Sequence, residues 1–219
     1  MSEPTPTITT FVLGGYQTNC FVVTIPDAAS SKACWVVDCG YDPDELIAYL
    51  KSNQLQPEAL LLTHAHADHI AGVDRLLGEI GKIPIYLHPE EHRWCHEPML
   101  NLSGIFGIPV TCTAADHELT DGQTLTLDGT TWRVHHTPGH SPGSVCFVHE
   151  ASNQAIVGDT LFAGSIGRID FPTSSPDDMR DSIERIMQWP DEMKVHPGHG
   201  PCTTIRRERR MNPFVIEGF

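Results

Sequence analysis

Short runs of β-branched and aromatic residues, broken by turn formers, open the chain. Ile8 to Leu13 and Asn19 to Ile25 read as two strands joined through Gly14-Gly15, and Pro26 to Ser31 as a further turn. Ala33 to Asp38 is a nearly continuous apolar run, the pattern of a buried strand, and it stops at Asp38-Cys39-Gly40. Asp42-Pro43-Asp44-Glu45 carries helix-start signals: Asp42 as N-cap, Pro43 at the first helical position and Glu45 closing a capping box. A helix is therefore predicted to about Asn53. Leu60-Leu61-Leu62 predicts another strand. Ile70, Val73, Leu76, Leu77 and Ile80 share one helical face, and Ile83 to Leu87 returns to strand. The alternation is that of an α/β protein, with a further helix expected from Pro89 to about Leu100.

From Glu118 the texture is β-rich. Leu125, Leu127, Trp132 and Val134 alternate around the hairpin signal Asp128-Gly129, and Val145 to Val148 and Ala155 to Val157 are further strands. Ser175-Pro176-Asp177-Asp178 starts a helix that turns Met179, Ile183, Ile186 and Met187 to a core, and Lys194-Val195 is a last strand. No repeat or linker divides the chain. One domain over residues 1–219 is expected, loose over 1–7 and closing in a short segment, 203–219, with no added helical domain.

Charge narrows the partners. A net charge of −14 and a pI near 5.2 disfavour nucleic-acid and anionic-membrane surfaces. With no secretory leader or spanning segment in the pattern, a cytoplasmic location is expected. Seven cysteines without a CxxC pair read as reduced thiols, and Cys39 and Cys202 as small buried hydrophobes. The thirteen histidines are the feature that changes the picture.

Four of the candidate ligands fall in Thr63-His64-Ala65-His66-Ala67-Asp68-His69. Side chains at i and i+2 of an extended segment point the same way, so His64 and His66 can reach one cation. Asp68 and His69 lie at the helix start and turn away from that pair, which presents two adjacent half-sites. His140 in His136-Thr137-Pro138-Gly139-His140-Ser141-Pro142-Gly143 and His199 in His196-Pro197-Gly198-His199-Gly200-Pro201 stand on loops stiffened by Pro and Gly. Asp159 leaves a strand at Gly158-Asp159-Thr160. Imidazoles and carboxylates suit zinc, iron or manganese, and the lack of an obligatory thiolate argues against a closed structural zinc knot. Asp38 either orients a ligating histidine or simply forms a turn. His88, His92 and His96, at i, i+4 spacing, have no acidic or thiol partner and read as ordinary histidines rather than a second site.

The four motifs together, HAHADH, HTPGHSPGS, GDT and HPGHG in this order, resemble the metallo-β-lactamase superfamily over nearly the whole chain. The resemblance implies a four-layer αβ/βα sandwich, two mixed β-sheets with helices on both outer faces and metals at one edge. It also implies two divalent metal ions, zinc first, with iron or manganese as alternatives. His64, His66 and His140 would hold one, Asp68, His69 and His199 the other, and Asp159 would bridge them. Most true β-lactamases of the superfamily have Cys or Ser where Asp159 stands, which disfavours antibiotic hydrolysis. Gly158 to Arg168 (GDTLFAGSIGR) and Asn212-Pro213-Phe214 resemble glyoxalase II, the hydroxyacylglutathione hydrolases, especially the short bacterial type. Arg168 would then hold glutathione. Two departures stand against it: the long enzymes' C-terminal helical domain is missing, and Gly200-Pro201 replaces a Tyr. The run Arg206-Arg207-Glu208-Arg209-Arg210 reads either as an attractor of substrate carboxylates or as a solvated helix face.

The expected reaction is hydrolysis of an S-2-hydroxyacylglutathione such as S-lactoylglutathione. A water shared by two cations would be activated at neutral pH, and Asp68 would orient it and take its proton. The competing reading is a persulfide dioxygenase with one iron on His64, His140 and Asp159, supported by THAHADHIAG and Gly167-Arg168-Ile169-Asp170-Phe171. Nuclease and non-catalytic readings lack a basic groove or leave a complete ligand set unused.

Overall fold

The structure is a computed structural model and describes residues 3–26 and 32–219. The turn expected over Pro26 to Ser31 lies mostly outside the described residues. β1 (Thr7–Leu13), β2 (Thr18–Thr24), β3 (Ala33–Val37), α1 (Asp44–Ser52) and β4 (Gln56–Leu61) lead to α2 (Ala67–Ile70), α3 (Val73–Ile80) and β5 (Ile85–Leu87). A 3-10 segment, Pro89–Cys95, α4 (Ser103–Phe106) and β6 (His117–Glu118) complete the first half. The second half runs β7 (Thr124–Leu127), β8 (Thr130–His136), β9 (Val145–His149), β10 (Gln154–Gly158), β11 (Leu161–Phe162) and β12 (Ser165–Ile166). It ends α5 (Pro176–Ile186), β13 (Lys194–Pro197), β14 (Thr203–Thr204), α6 (Ile205–Met211) and α7 (Pro213–Ile216).

The strands form two six-stranded sheets, β1-β2-β3-β4-β5-β6 and β14-β13-β10-β9-β8-β7, and a separate β11-β12 hairpin. Both large sheets are mixed. β3, β4, β5 and β6 run parallel, and β10 is parallel to β13 within otherwise antiparallel pairings.

Alternation along the strands explains why two sheets and four layers result. On β2, β3 and β4 one set of side chains, including Cys20, Val22, Val36 and Leu60, packs with α1 and α3 residues such as Leu46, Leu50 and Leu76. The other set, Phe21, Val23, Trp35, Val37 and Leu61, meets Trp132, Val134, Val145, Phe147 and Ile156 of the second sheet. The reverse face of that sheet, with Cys146, Val148, Ala155, Val157 and Val195, takes Met179, Ile183 and Ile186 of α5 and Ile205 of α6. Strands buried on both faces can only be interior layers, so helices close the outside. Trp35 and Trp132 meet edge to face between the sheets, centroids 6.1 Å apart.

Three local expectations are corrected. The helix predicted as one is two, because the Gly72 amide donates to the Cys39 carbonyl at 2.8 Å rather than into the helical ladder, and Gly40 packs so close that a Cβ on Gly72 would lie 2.2 Å from its carbonyl oxygen. Asp42 does not cap α1. It has φ +54, Pro43 takes the N-cap position and no side chain caps the helix. Residues 89–95 coil as a 3-10 helix, so His88, His92 and His96 do not keep the α-helical i, i+4 face. His88 stacks instead on His136 at 4.1 Å, and His92 bonds the Leu87 carbonyl.

Two further expectations resolve on structural grounds. Arg206, Arg207 and Arg209 pair with Glu192, Glu208 and Asp191, and Arg209 also bonds the Met187 and Trp189 carbonyls, so this run is a solvated helix face whose cations are spent on neighbouring acids and carbonyls. Asn212 and Glu208 reach back to the Ser165 carbonyl and the Gly164 amide, bracing the β11-β12 hairpin. All seven cysteines are free thiols, and Cys202 is exposed rather than buried.

Phe147 is among the largest side chains fully enclosed between the sheets. Phe147→Ala is expected to lower unfolding stability by about 3–5 kcal/mol, read from urea denaturation with an unchanged m-value.

Candidate metal centre

Strand ends of both sheets deliver the site. His64 and His66 follow β4, Asp68 and His69 stand on α2, His140 lies between β8 and β9, Asp159 leaves β10 and His199 leaves β13. Backbone bonds stitch the sheets together here: Val145 N donates to Thr63 O at 2.9 Å, and Asn19 N to Gly198 O at 2.7 Å. The Asn19 side-chain amide further holds the Pro197 and Gly200 carbonyls, each at 2.8 Å, and fixes the His199 loop.

All seven residues anticipated as ligands come together. Donor atoms of His64, His66 and His140 lie within 4.8 Å of one another, as do those of Asp68, His69 and His199, and those of His64, His69 and Asp159. Asp159 stands between the groups, with Oδ1 3.5 Å from His69 Nε2 and Oδ2 3.5 Å from His140 Nε2 and 3.4 Å from His199 Nε2. Gly198 permits this crowding, since a Cβ there would lie 2.2 Å from Asp159 Oδ1.

Hydrogen bonds behind the imidazoles set their tautomers. Thr63 Oγ1 donates to Asp38 Oδ2 at 2.7 Å and accepts from His64 Nδ1 at 3.2 Å. His69 Nδ1 donates to Asp38 Oδ2 at 2.9 Å, and His140 Nδ1 to the Arg168 carbonyl at 2.9 Å. The opposite nitrogens are thereby turned to the cluster. His64 Nε2, His69 Nε2 and Asp159 Oδ1 are buried without any hydrogen-bond partner, and His140 Nε2 lies 2.9 Å from His66 Nδ1. Buried polar atoms left bare at a shared focus, in a set of imidazoles and carboxylates, fit one or two divalent cations.

The charges divide the cluster. Burial, reinforced by neighbouring imidazoles, drives His64 and His66 well below the usual histidine range, and burial also lowers His140. For His69 burial acts the same way, but the carboxylates of Asp68, Asp38 and Asp159 outweigh it and raise it well above that range. His199 rises to about 10 against its burial, through hydrogen bonds to Asp159 and Asp68. Asp68, despite burial, is held down to about 2 by His69 and His199, and Thr18 Oγ1 donates to its Oδ2 at 2.9 Å.

Two supporting residues carry no signal in the sequence. Thr18 looks like any strand threonine. Glu91, in an acidic surface-like run, is fully buried and clamps both sheets' ligand loops, accepting from Ala65 N at 2.5 Å and Gly143 N at 2.7 Å. Burial pushes its carboxyl up to about 7. Asp38, ambiguous in sequence, is the residue that orients His69. Arg168 stands at the cleft mouth, bonded twice to Asp170 at 2.8 Å and 4.3 Å over the Phe171 ring.

Known proteins agree with this geometry. The metallo-beta-lactamase superfamily profile matches residues 13–199. The probable metallo-hydrolase YqgX of Bacillus subtilis is 38% identical over 192 residues, 87% of this chain and 90% of the relative. The hydroxyacylglutathione hydrolase GloC of Haemophilus influenzae is 32% identical over 203 residues, 91% and 93% of the two chains. Among solved structures, the BLEG-1 B3 metallo-beta-lactamase aligns with TM-score 0.89 at 41% identity, covering 96% of this chain and all of that one. TTHA1623, solved in a di-iron-bound form, aligns at 0.81 and 36%, covering 94% and 99%.

Metal entering the Asp68, His69, His199 group must displace protons, whereas the His64, His66, His140 group has none to lose near neutrality. Calorimetric titration of metal-free protein between about pH 6 and about pH 8 should show affinity of one site rising with pH, with proton release, and the other nearly constant. Glu91→Gln replaces one acceptor oxygen by an amide that cannot accept. Competition with a chelator should read about 10–100-fold weaker binding at the His64, His66, His140 group. With its matching profile, its relatives and its four-layer fold, the chain belongs to the metallo-beta-lactamase superfamily.

Proposed function

We propose that this protein is a binuclear metal-dependent thioester hydrolase that cleaves an S-2-hydroxyacylglutathione to a hydroxy acid and glutathione. The observation carrying the reading is the second complete donor group, Asp68, His69 and His199, beside His64, His66 and His140, with Asp159 between them. A single-iron site on His64, His140 and Asp159 would leave that group without a task. The likeness to GloC supports the thioester, and that to TTHA1623 a pair of metals.

Two divalent ions, when bound, would supply Lewis-acid polarisation of the carbonyl and a lowered pKa for a water they share. The chain supplies the rest. Asp38 and Thr63 hold His69 and His64 in the tautomers that expose Nε2. The Asp68 carboxylate, ionised and steadied by Thr18, accepts the proton of the attacking water, and the C–S bond breaks as the thiol sulfur takes the electron pair and then a proton. Arg168, at the cleft mouth, faces a carboxylate of the departing glutathione. The likeness to BLEG-1 favours a second reading in the same chemistry, opening of a β-lactam amide.

Metal content per chain and turnover of S-lactoylglutathione, glutathione persulfide under O2 monitoring and a chromogenic cephalosporin distinguish the readings. Two metals and thioester cleavage are expected, with Asp159→Ala lowering kcat/KM more than about a hundred-fold, beyond the loss of a mere outer partner. One iron with persulfide-dependent O2 uptake would overturn the hydrolase. Cephalosporin cleavage without thioesterase activity would select the second reading.

A further inference from the structure

The cleft over the ligand cluster has a volume of about 430 Å³, and its walls are Tyr16, Tyr41, Leu102, Ile108, Phe162 and Phe171. Arg168 is the one lysine or arginine among the described lining residues, and Asp170 already occupies two of its donors. Asp42 also lines it, as do Asp68, Asp159 and His199 of the ligand cluster.

Polar side chains in the segment 101–110 are spent within it and on the Trp94 carbonyl. Asn101 Nδ2 donates to the Trp94 and Val110 carbonyls at 2.8 and 3.0 Å, and its Oδ1 accepts from Ser103 N at 3.1 Å and Ser103 Oγ at 2.6 Å. Ser103 Oγ in turn accepts from Val110 N at 2.9 Å. This wall therefore offers the cleft hydrocarbon, with Ile108 left 72% exposed. It is anchored to the ligand loop, because Ala67 N donates to the Asn101 carbonyl at 2.9 Å, next to His66.

We propose that the acyl arm of the substrate is apolar, an aromatic or branched aliphatic 2-hydroxyacyl group packed on Leu102 and Ile108, in preference to the small lactoyl group. The inference rests on the thioesterase reading and specifies its substrate. The hydrocarbon wall adjoins the His66 side, while Arg168, the sole lysine or arginine among the described lining residues, is reserved for the charged thiol arm. An acyl group that covers Ile108 removes apolar surface from water; a methyl-sized one leaves it wet.

The test compares kcat/KM for S-mandeloylglutathione and S-lactoylglutathione on the metal-loaded protein. The mandeloyl to lactoyl ratio is expected to be at least about ten, and to fall towards one in Ile108→Asp, a site exposed enough to accept the change without unfolding. A ratio of one or less in the unsubstituted protein, with both thioesters cleaved, overturns the acyl preference and leaves the thioesterase standing. Cleavage of neither overturns the thioesterase. Calorimetric binding of mandelate and lactate then still decides the wall: about ten-fold tighter mandelate supports it, and equal affinity refutes it.

Discussion

Every candidate ligand of this protein hangs on a loop or a loop-end turn of helix, and such a segment holds an imidazole at fixed geometry only when its own backbone is tied down. Buried carboxylates do the tying. Asp38, at the exit of β3, takes the Thr63 amide, the Thr63 hydroxyl and His69 Nδ1, so one side chain fixes two neighbouring ligand positions. Glu91 spans from the loop after β4 to the loop before β9 and thus joins two sheets that share no ladder. Neither group can be solvated where it lies, so each must keep its donors, and the loops inherit that rigidity.

The ligands were legible because their chemistry is local in sequence. Imidazoles at i and i+2, followed by an acid and an imidazole at a helix start, are a dense donor set that a solvated turn has no need of, and the later ligands stand between Pro and Gly. The four layers came from the family resemblance, with which the alternating first half and β-rich second half of the sequence agree. What escaped depends on contacts distant along the chain. Glu91 lies 52 residues from Gly143, and Thr18 lies 50 from Asp68. The predicted helix splits because the Gly72 amide turns to the Cys39 carbonyl, and Asp42 fails as a cap because its backbone is left-handed. Local signals describe what a segment prefers, and tertiary packing overrode them at these points.

The metal groups and the cleft above them have opposite characters. Below, carboxylates and imidazoles concentrate charge in a buried nest. Above, tyrosine, phenylalanine, leucine and isoleucine form the walls, with one arginine, paired with Asp170, at the mouth. No helix among the described residues is long and apolar enough to cross a membrane. Recognition of an apolar group is the simplest use for the exposed hydrocarbon around the cleft.

The two sheets are also consecutive in the chain. Strands from 7 to 118 build the first and strands from 124 to 204 the second. A ribosome thus finishes one sheet before starting the other, and the inner face bearing Phe21, Trp35, Val37 and Leu61 must wait uncovered for its mate. Until then that face is apolar surface left to water. The His64, His66, His140 group is complete in sequence before β9, whereas the Asp68, His69, His199 group waits for the loop after β13, so the two donor groups close in that order.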